Sequence, residues 1–205
     1  FAGLRDAWLY TDNALARTML IEWADWAARL VANLDDEQMQ AMLRTEHGGM
    51  NEVFADVAEI TGNPGYLGTA RRFSHRSILD PLLAEQDRLT GLHANTQIPK
   101  VVGFERIAQQ ANDADWHRAA SFFWETVVDE SSVAIGGNSV REHFHDKHDI
   151  KPMIQEVESP ETCNTYNMLK LTRLLYAAEA RPEYVDYYER ALYNHILASQ
   201  DPATG

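Results

Sequence analysis

"FERIAQQANDADWHRAASFFW", residues 104–124, decides the fold. It reads as an amphipathic helical run, a short polar break at "ANDAD", an aromatic anchor at Trp116 and a second helical run. Two other stretches have the same order. In "FADVAEITGNPGYLGTARRFS" (54–74) the break is "TGNPG" and the anchor Tyr66, and in "LTRLLYAAEARPEYVDYYERA" (171–191) they are "EARPE" and Tyr184. The anchors at 66, 116 and 184 stand 50 and 68 residues apart, so the unit is a helical hairpin repeated with linkers of variable length.

Outward from these repeats the periodicity stays helical. "ALARTMLIEWADWAARLVANL" (14–34) places Leu15, Met19, Trp23, Trp26, Leu30 and Leu34 at steps of three and four. "NEVFADVAEI" (51–60) and "NMLKLTRLLYAA" (167–178) behave alike, "ASFFWETV" (120–127) reads as core, and no stretch alternates with period two for the length of a strand. The chain is therefore all-α. "TDNALARTMLIEWADW" (11–26) matches the second half of a unit, with only residues 1–10 left for a first helix that is largely missing. About three and a half hairpins are expected. Such hairpins stack into an open solenoid or a closed toroid. The polar linkers 80–99 and 129–160 favour a toroid with its site in the loops of one rim. An incomplete ring would expose apolar flanks over 14–34 and 182–198, or cover them with a second copy in a homodimer.

Composition narrows the partners. The 205 residues carry a net charge of −13, with 45% hydrophobic and 24% charged residues, a globular composition. Nucleic acid and anionic membrane surfaces need clustered Lys and Arg and are disfavoured. No signal peptide or membrane-spanning run is visible. The chain opens on Phe1 without an initiator Met, which fits a piece of something longer, so the compartment stays open. Cys163 is the one cysteine, which excludes an internal disulfide.

Counting back from each anchor gives the candidate site. His47 lies 19 residues before Tyr66, His93 lies 23 before Trp116, and Glu161 lies 23 before Tyr184. Each falls at the start of its hairpin's first helix. In a toroid these starts share one rim, where positive helix ends favour an ionised carboxylate. Each residue also has a plainer reading. "SPETC" suits a helix start with Ser159 as N-cap, Pro160 at N1 and Glu161 in the first turn. Cys163 suits a small buried apolar position, and His47 and His93 suit structural histidines. "GGNSVREHFHDKHD" (136–149) gathers Glu142, His143, His145, Asp146, His148 and Asp149 behind a glycine turn, without a zinc-ligand spacing, and reads as a solvated polar loop. Phosphate-loop, serine-elbow and HExxH patterns are absent from the sequence.

The stretches "LRTEHGGMNE" (43–52), "TGLHANTQIPK" (90–100), "GGNSVREHF" (136–144), "ETCNTYNMLKLTR" (161–173) and "YYERALYNHILASQDP" (187–202) resemble glycoside hydrolase family 127, which includes β-L-arabinofuranosidases. The resemblance implies an (α/α)6 barrel followed by β-sandwich domains, of which residues 1–205 are an incomplete barrel. It implies retaining hydrolysis of a saccharide containing L-arabinofuranoside, with a cysteine thiolate nucleophile and a zinc ion held by one glutamate and three cysteines. Glu161 would be that glutamate and also the acid/base, and Cys163 the first cysteine ligand. His47, His93 and Glu142 would bind sugar hydroxyls. The zinc-bound nucleophile and the remaining zinc ligand lie in a Cys-Cys-Pro-type stretch that this chain does not contain, so zinc is expected to be incomplete or absent here and the isolated chain inactive. Two rivals stand beside this reading. One is a non-catalytic helical-repeat binding module. The other is a different α/α-toroid enzyme, a lyase or epimerase, with His47 or His93 as base.

Overall fold

The computed structural model describes residues 1–45 and 47–204. Its α-helices are α1 (Ala2–Thr11), α2 (Ala14–Leu30), α3 (Asp36–Met42), α4 (Met50–Thr61), α5 (Pro64–Arg72), α6 (Arg76–Leu83), α7 (Ala94–Ala111), α8 (Ala114–Glu125), α9 (Lys151–Gln155), α10 (Thr162–Ala178) and α11 (Pro182–Ala191). Single π-helical turns extend α8 over Thr126–Glu130 and α11 over Leu192–Ile196. Only isolated β-bridges, and no strand, occur among the described residues.

Four helix pairs pack as hairpins: α1/α2, α4/α5, α7/α8 and α10/α11. Three of the turns share one chemistry. Asp12, Gly62 and Asn112 end their helices in the left-handed region (φ 52°, 68° and 51°), and the next residue caps the following helix. Asn13 accepts from the Ala16 amide, Asn63 from Gly65 and Asp113 from Trp116. Asn and Asp tolerate left-handed backbone and bind amides two or three residues on, so a two-residue turn suffices. The first helix of the N-terminal unit, expected to be largely missing, is present with ten residues and pairs with α2.

The first helices of the units run parallel. Asn51 on α4 donates to Lys100 O on α7 at 2.9 Å, and further along Arg106 Nε reaches Asp56 Oδ1 at 2.8 Å. From α10, Asn167 meets Asn95 at 2.8 Å, and Gln109 meets Leu174 O at 3.0 Å. Each pair of contacts climbs both helices together, so the starts of α4, α7 and α10 lie at one end.

The core divides in two. One part gathers Leu20, Phe54, Tyr66 and Phe73; the other gathers Phe123, Trp124, Met168, Tyr184 and Tyr187. Trp124 meets Tyr184 edge-on at 4.7 Å, and its indole N–H donates to Thr172 Oγ1 at 2.8 Å. The stretch 120–127 is core as expected: Phe123, Trp124 and Val127 are all buried. On α2 the buried face is Ala16, Leu20, Ala24 and Ala27, whereas Leu15, Met19, Trp23, Trp26 and Leu30 stand exposed, Leu15 by 68%. Val185, Tyr193 and Leu197 are likewise exposed at the other flank. No described helix is long and apolar enough to cross a membrane.

Candidate active site

Glu142 is held by an unusual piece of backbone. Gly136, Ser139, Arg141 and Glu142 all have positive φ (93°, 76°, 47° and 68°), a conformation costly for the three that are not glycine. The surroundings compensate. Ala94 N donates to Glu142 O at 2.8 Å, Phe144 N to Leu92 O at 2.9 Å and Gly91 N to Phe144 O at 2.8 Å. This short ladder lashes the loop to the entry of α7. It brings the Glu142 carboxylate to 3.7 Å from His93 Nε2. His93 is the N-cap of α7, its Nδ1 accepting from the Thr96 amide at 3.2 Å, which leaves Nε2 to carry the ring proton toward Glu142.

Glu161 is positioned from the other side. α10 begins at Thr162, so Glu161 itself holds the N-cap position and Ser159 lies outside the helix, which starts two residues later than expected. Its carboxylate makes no capping bond. It is left to accept from the Cys163 thiol at 3.5 Å. Burial, with the neighbouring carboxylate second, pushes the Cys163 thiol above its ordinary pKa. Pro160, which precedes Glu161, is clamped: His195 Nε2 donates to Pro160 O at 3.2 Å, while His195 Nδ1 accepts from Thr165 Oγ1 at 2.8 Å. Gly137 packs so tightly here that a Cβ would stand 2.5 Å from Pro160 Cβ and 2.8 Å from the His195 ring. Asn164 ties α10 to the strained loop through Ser139 Oγ at 2.6 Å. Glu142 and Glu161 thereby line one open cleft of about 530 Å³ with Arg141, Val157, Glu158 and Ser159.

His47 does not line this cleft. It does not start a helix; α4 begins three residues later, after Gly48 and Gly49. Its Nδ1 donates to Thr45 O at 3.1 Å, and its ring lies 5.5 Å from that of His75. His143, His145 and His148 do not converge with the nearby acids: among the described residues no three His, Cys, Asp or Glu side chains are placed to hold a metal. Glu161 and Cys163 do fit half of a zinc site, because oxygen and sulfur ligands at tetrahedral zinc stand about 3.5 Å apart, as these two atoms do. The clamp residues Gly137, Ser139, Asn164 and His195 carried no local sequence signal, since each acts through a partner at least 23 residues away.

Burial lowers the pKa of His47, His75, His145 and His195, His75 to about 4. Unfolding releases these imidazoles to titrate near 6.5, so the unfolded chain binds more protons below that pH. Their contribution is complete above about pH 6.5 and is lost as the pH falls toward 4. Buried Glu105, raised by desolvation, acts in the opposite sense. Urea midpoints are expected to fall between pH 7 and 4.5, with a loss on the order of 2 kcal/mol. A flat profile across that window would refute the neutral, buried state of these rings.

The helical hairpins thus place Glu142, Glu161 and His93 at one end of the fold. The catalytic-domain model of GH127 β-L-arabinofuranosidases matches residues 1–205, and the chain belongs to that family. Solved structures agree on the fold. A GH127 β-arabinofuranosidase superposes with TM-score 0.60 at 22% identity over 70% of this chain and 24% of its own. A GH127 β-L-arabinofuranosidase from Geobacillus stearothermophilus T6 does so with TM-score 0.60 at 19% identity over 76% and 29%. The chain thus spans less than a third of the length of those structures. A search of curated proteins finds no match.

Proposed function

We propose that this chain is part of the catalytic domain of a retaining glycoside hydrolase that cleaves β-linked L-arabinofuranosides. The observation that carries the reading is the placement of Glu142 and Glu161 on one cleft, with His93 against Glu142. Retaining hydrolysis needs one carboxyl group to protonate the leaving oxygen and then deprotonate water, and a nucleophile on the opposite side of the sugar. Glu161 and Cys163 would hold zinc, with two further cysteine ligands, one of them the thiolate nucleophile, supplied by sequence other than these 205 residues. When bound, the ion lowers the pKa of a coordinated thiol and fixes its position. A carboxylate engaged as a metal ligand has no free proton to give. The acid/base role expected of Glu161 therefore passes to Glu142, which lies in the same cleft and is free of Cys163. His93 steadies it and contacts the sugar.

Closure of the hairpins into a six-fold barrel belongs to the same proposal. The exposed stripe of α2 and the flank of α11 would be the faces on which the remaining hairpins seat, with a second copy covering them in the isolated chain. The test compares the 205-residue chain with a longer protein that includes the Cys-Cys-Pro-type stretch. The longer protein should hold one zinc after dialysis and hydrolyse aryl β-L-arabinofuranosides; the 205-residue chain should do neither. Cys163→Ser in the longer protein should lower its zinc content several-fold. Turnover by the isolated chain that disappears in Cys163→Ser would instead make Cys163 the nucleophile.

A further inference from the structure

Lys100 is a buried cation that the chemistry above does not use. It is 3% exposed, and no carboxylate meets it among the described residues. Glu46 lies outside those residues. Lys100 Nζ donates to Gln97 Oε1 at 2.9 Å and contacts His75 Nδ1 at 3.2 Å. An ammonium has only donors, so Nδ1 of His75 must be the acceptor, and the ring proton sits on Nε2, which donates to Ser77 Oγ at 2.9 Å. On the same logic Thr45 O, a pure acceptor, places the ring proton of His47 on Nδ1. His47 Nε2 is then a bare lone pair, shielded from solvent and without a partner among the described residues. An orphan acceptor of this kind marks the place of a donor. Charged groups facing the cluster are Lys100 itself and Arg44, beside His75; both oppose a proton on that ring, and Lys100 also opposes one on His47.

The cluster connects to the cleft. His93, Gln97 and Lys100 fall at i, i+4 and i+7 on one face of α7, and Gln97 Nε2 donates back to His93 O at 3.4 Å. We propose that Lys100 is a positioning residue for the sugar site: it locks His75 as the Nε2–H tautomer and keeps His47 an uncharged acceptor, whose Nε2 receives a hydrogen bond from a hydroxyl group. An ionised carboxylate cannot fill this place, because it offers Nε2 no proton. The hydroxyl comes either from the sugar or from an ordered water. The sugar assignment rests on the glycosidase reading; the tautomer assignment does not.

Imidazole nitrogen NMR on the 205-residue chain tests this. In the wild type, His75 should show Nε2–H and His47 Nδ1–H, and both rings should stay neutral down to pH 5.5. Lys100→Met should raise the pKa of His75 by at least one unit, with a smaller rise for His47, while Lys100→Arg should retain the wild-type values. Wild-type rings that protonate above pH 6, or the opposite tautomers, would overturn the proposal without need of a folded variant. So would a well-folded Lys100→Met whose rings titrate as in the wild type. Adding methyl β-L-arabinofuranoside should shift the His47 Nε2 resonance. If only the tautomers hold and the sugar causes no shift, the hydroxyl is water and the sugar part of the proposal falls.

Discussion

Gly103→Ala should destabilise the protein by about 3 kcal/mol, although alanine is the better helix former by roughly 1 kcal/mol at an interior position. Gly103 lies in the middle of α7, where α4 comes closest. A Cβ there would fall inside the contact distance of all three amide atoms of Asn51. Asn51 cannot swing away cheaply. It is buried, its Nδ2 donates to Lys100 O at 2.9 Å, and its Oδ1 accepts from the Glu52 amide at 3.0 Å. Displacing it leaves the buried Glu52 N–H and the Lys100 carbonyl without this partner, at about 1–3 kcal/mol each before relaxation. Parting α4 from α7 would instead open the best-packed seam of the fold. A domain of this size loses about 2–4 °C per kcal/mol, so thermal unfolding should begin roughly 10 °C lower. Asn51→Ala in the same chain should recover part of the loss, since the clash and the missing bonds are one interaction counted twice. An unchanged or raised melting temperature in Gly103→Ala would refute the close approach.

Residue 103 shows where a reading of the sequence stops. Hairpin order and anchors were legible because they depend on local periodicity and on two-residue turns: "TDN", "TGN" and "AND" at 11–13, 61–63 and 111–113 announce the left-handed residue and the cap that follows it. The parallel first helices, and hence the shared end of His93 and Glu161, follow from repetition alone. Contacts between units left no such mark. A glycine inside "KVVGFERI" looks like a weak helix position until Asn51 is seen against it. The start of α10 was misjudged by two residues for a similar reason. Ser159 is the better cap by type, but the His195 clamp on Pro160 O holds the chain extended through Glu161 and delays the helix. On α2 the periodicity was right and the buried face was its neighbour, because the small residues Ala16, Ala24 and Ala27 let α2 pack closely while the bulky stripe waits for another surface.

If the proposed function holds, in a longer protein that includes the Cys-Cys-Pro-type stretch Glu142→Gln and Glu161→Gln should both abolish useful activity but for different reasons, and the difference assigns the proton. Glutamine keeps the shape of either side chain and removes the charge and the titrating proton. At 142 the effect should fall on proton transfer. Turnover on an alkyl β-L-arabinofuranoside should drop by about 10³-fold, within the usual range for a lost general acid. An activated aryl glycoside, whose leaving group needs little protonation, should lose far less in its first step. Zinc content should be unchanged, because Glu142 makes no contact with Cys163 and its backbone is fixed by the ladder to Gly91, Leu92 and Ala94. At 161 the loss should not depend on the leaving group. A neutral amide is a poor zinc ligand, so metal content and activity should fall together, and the Cys163 thiol, no longer facing a carboxylate, should become easier to alkylate as its pKa falls. The reverse pattern, a metal-replete Glu161→Gln with a leaving-group-dependent defect, would return the acid/base role to Glu161 and leave Glu142 as a sugar-binding residue paired with His93.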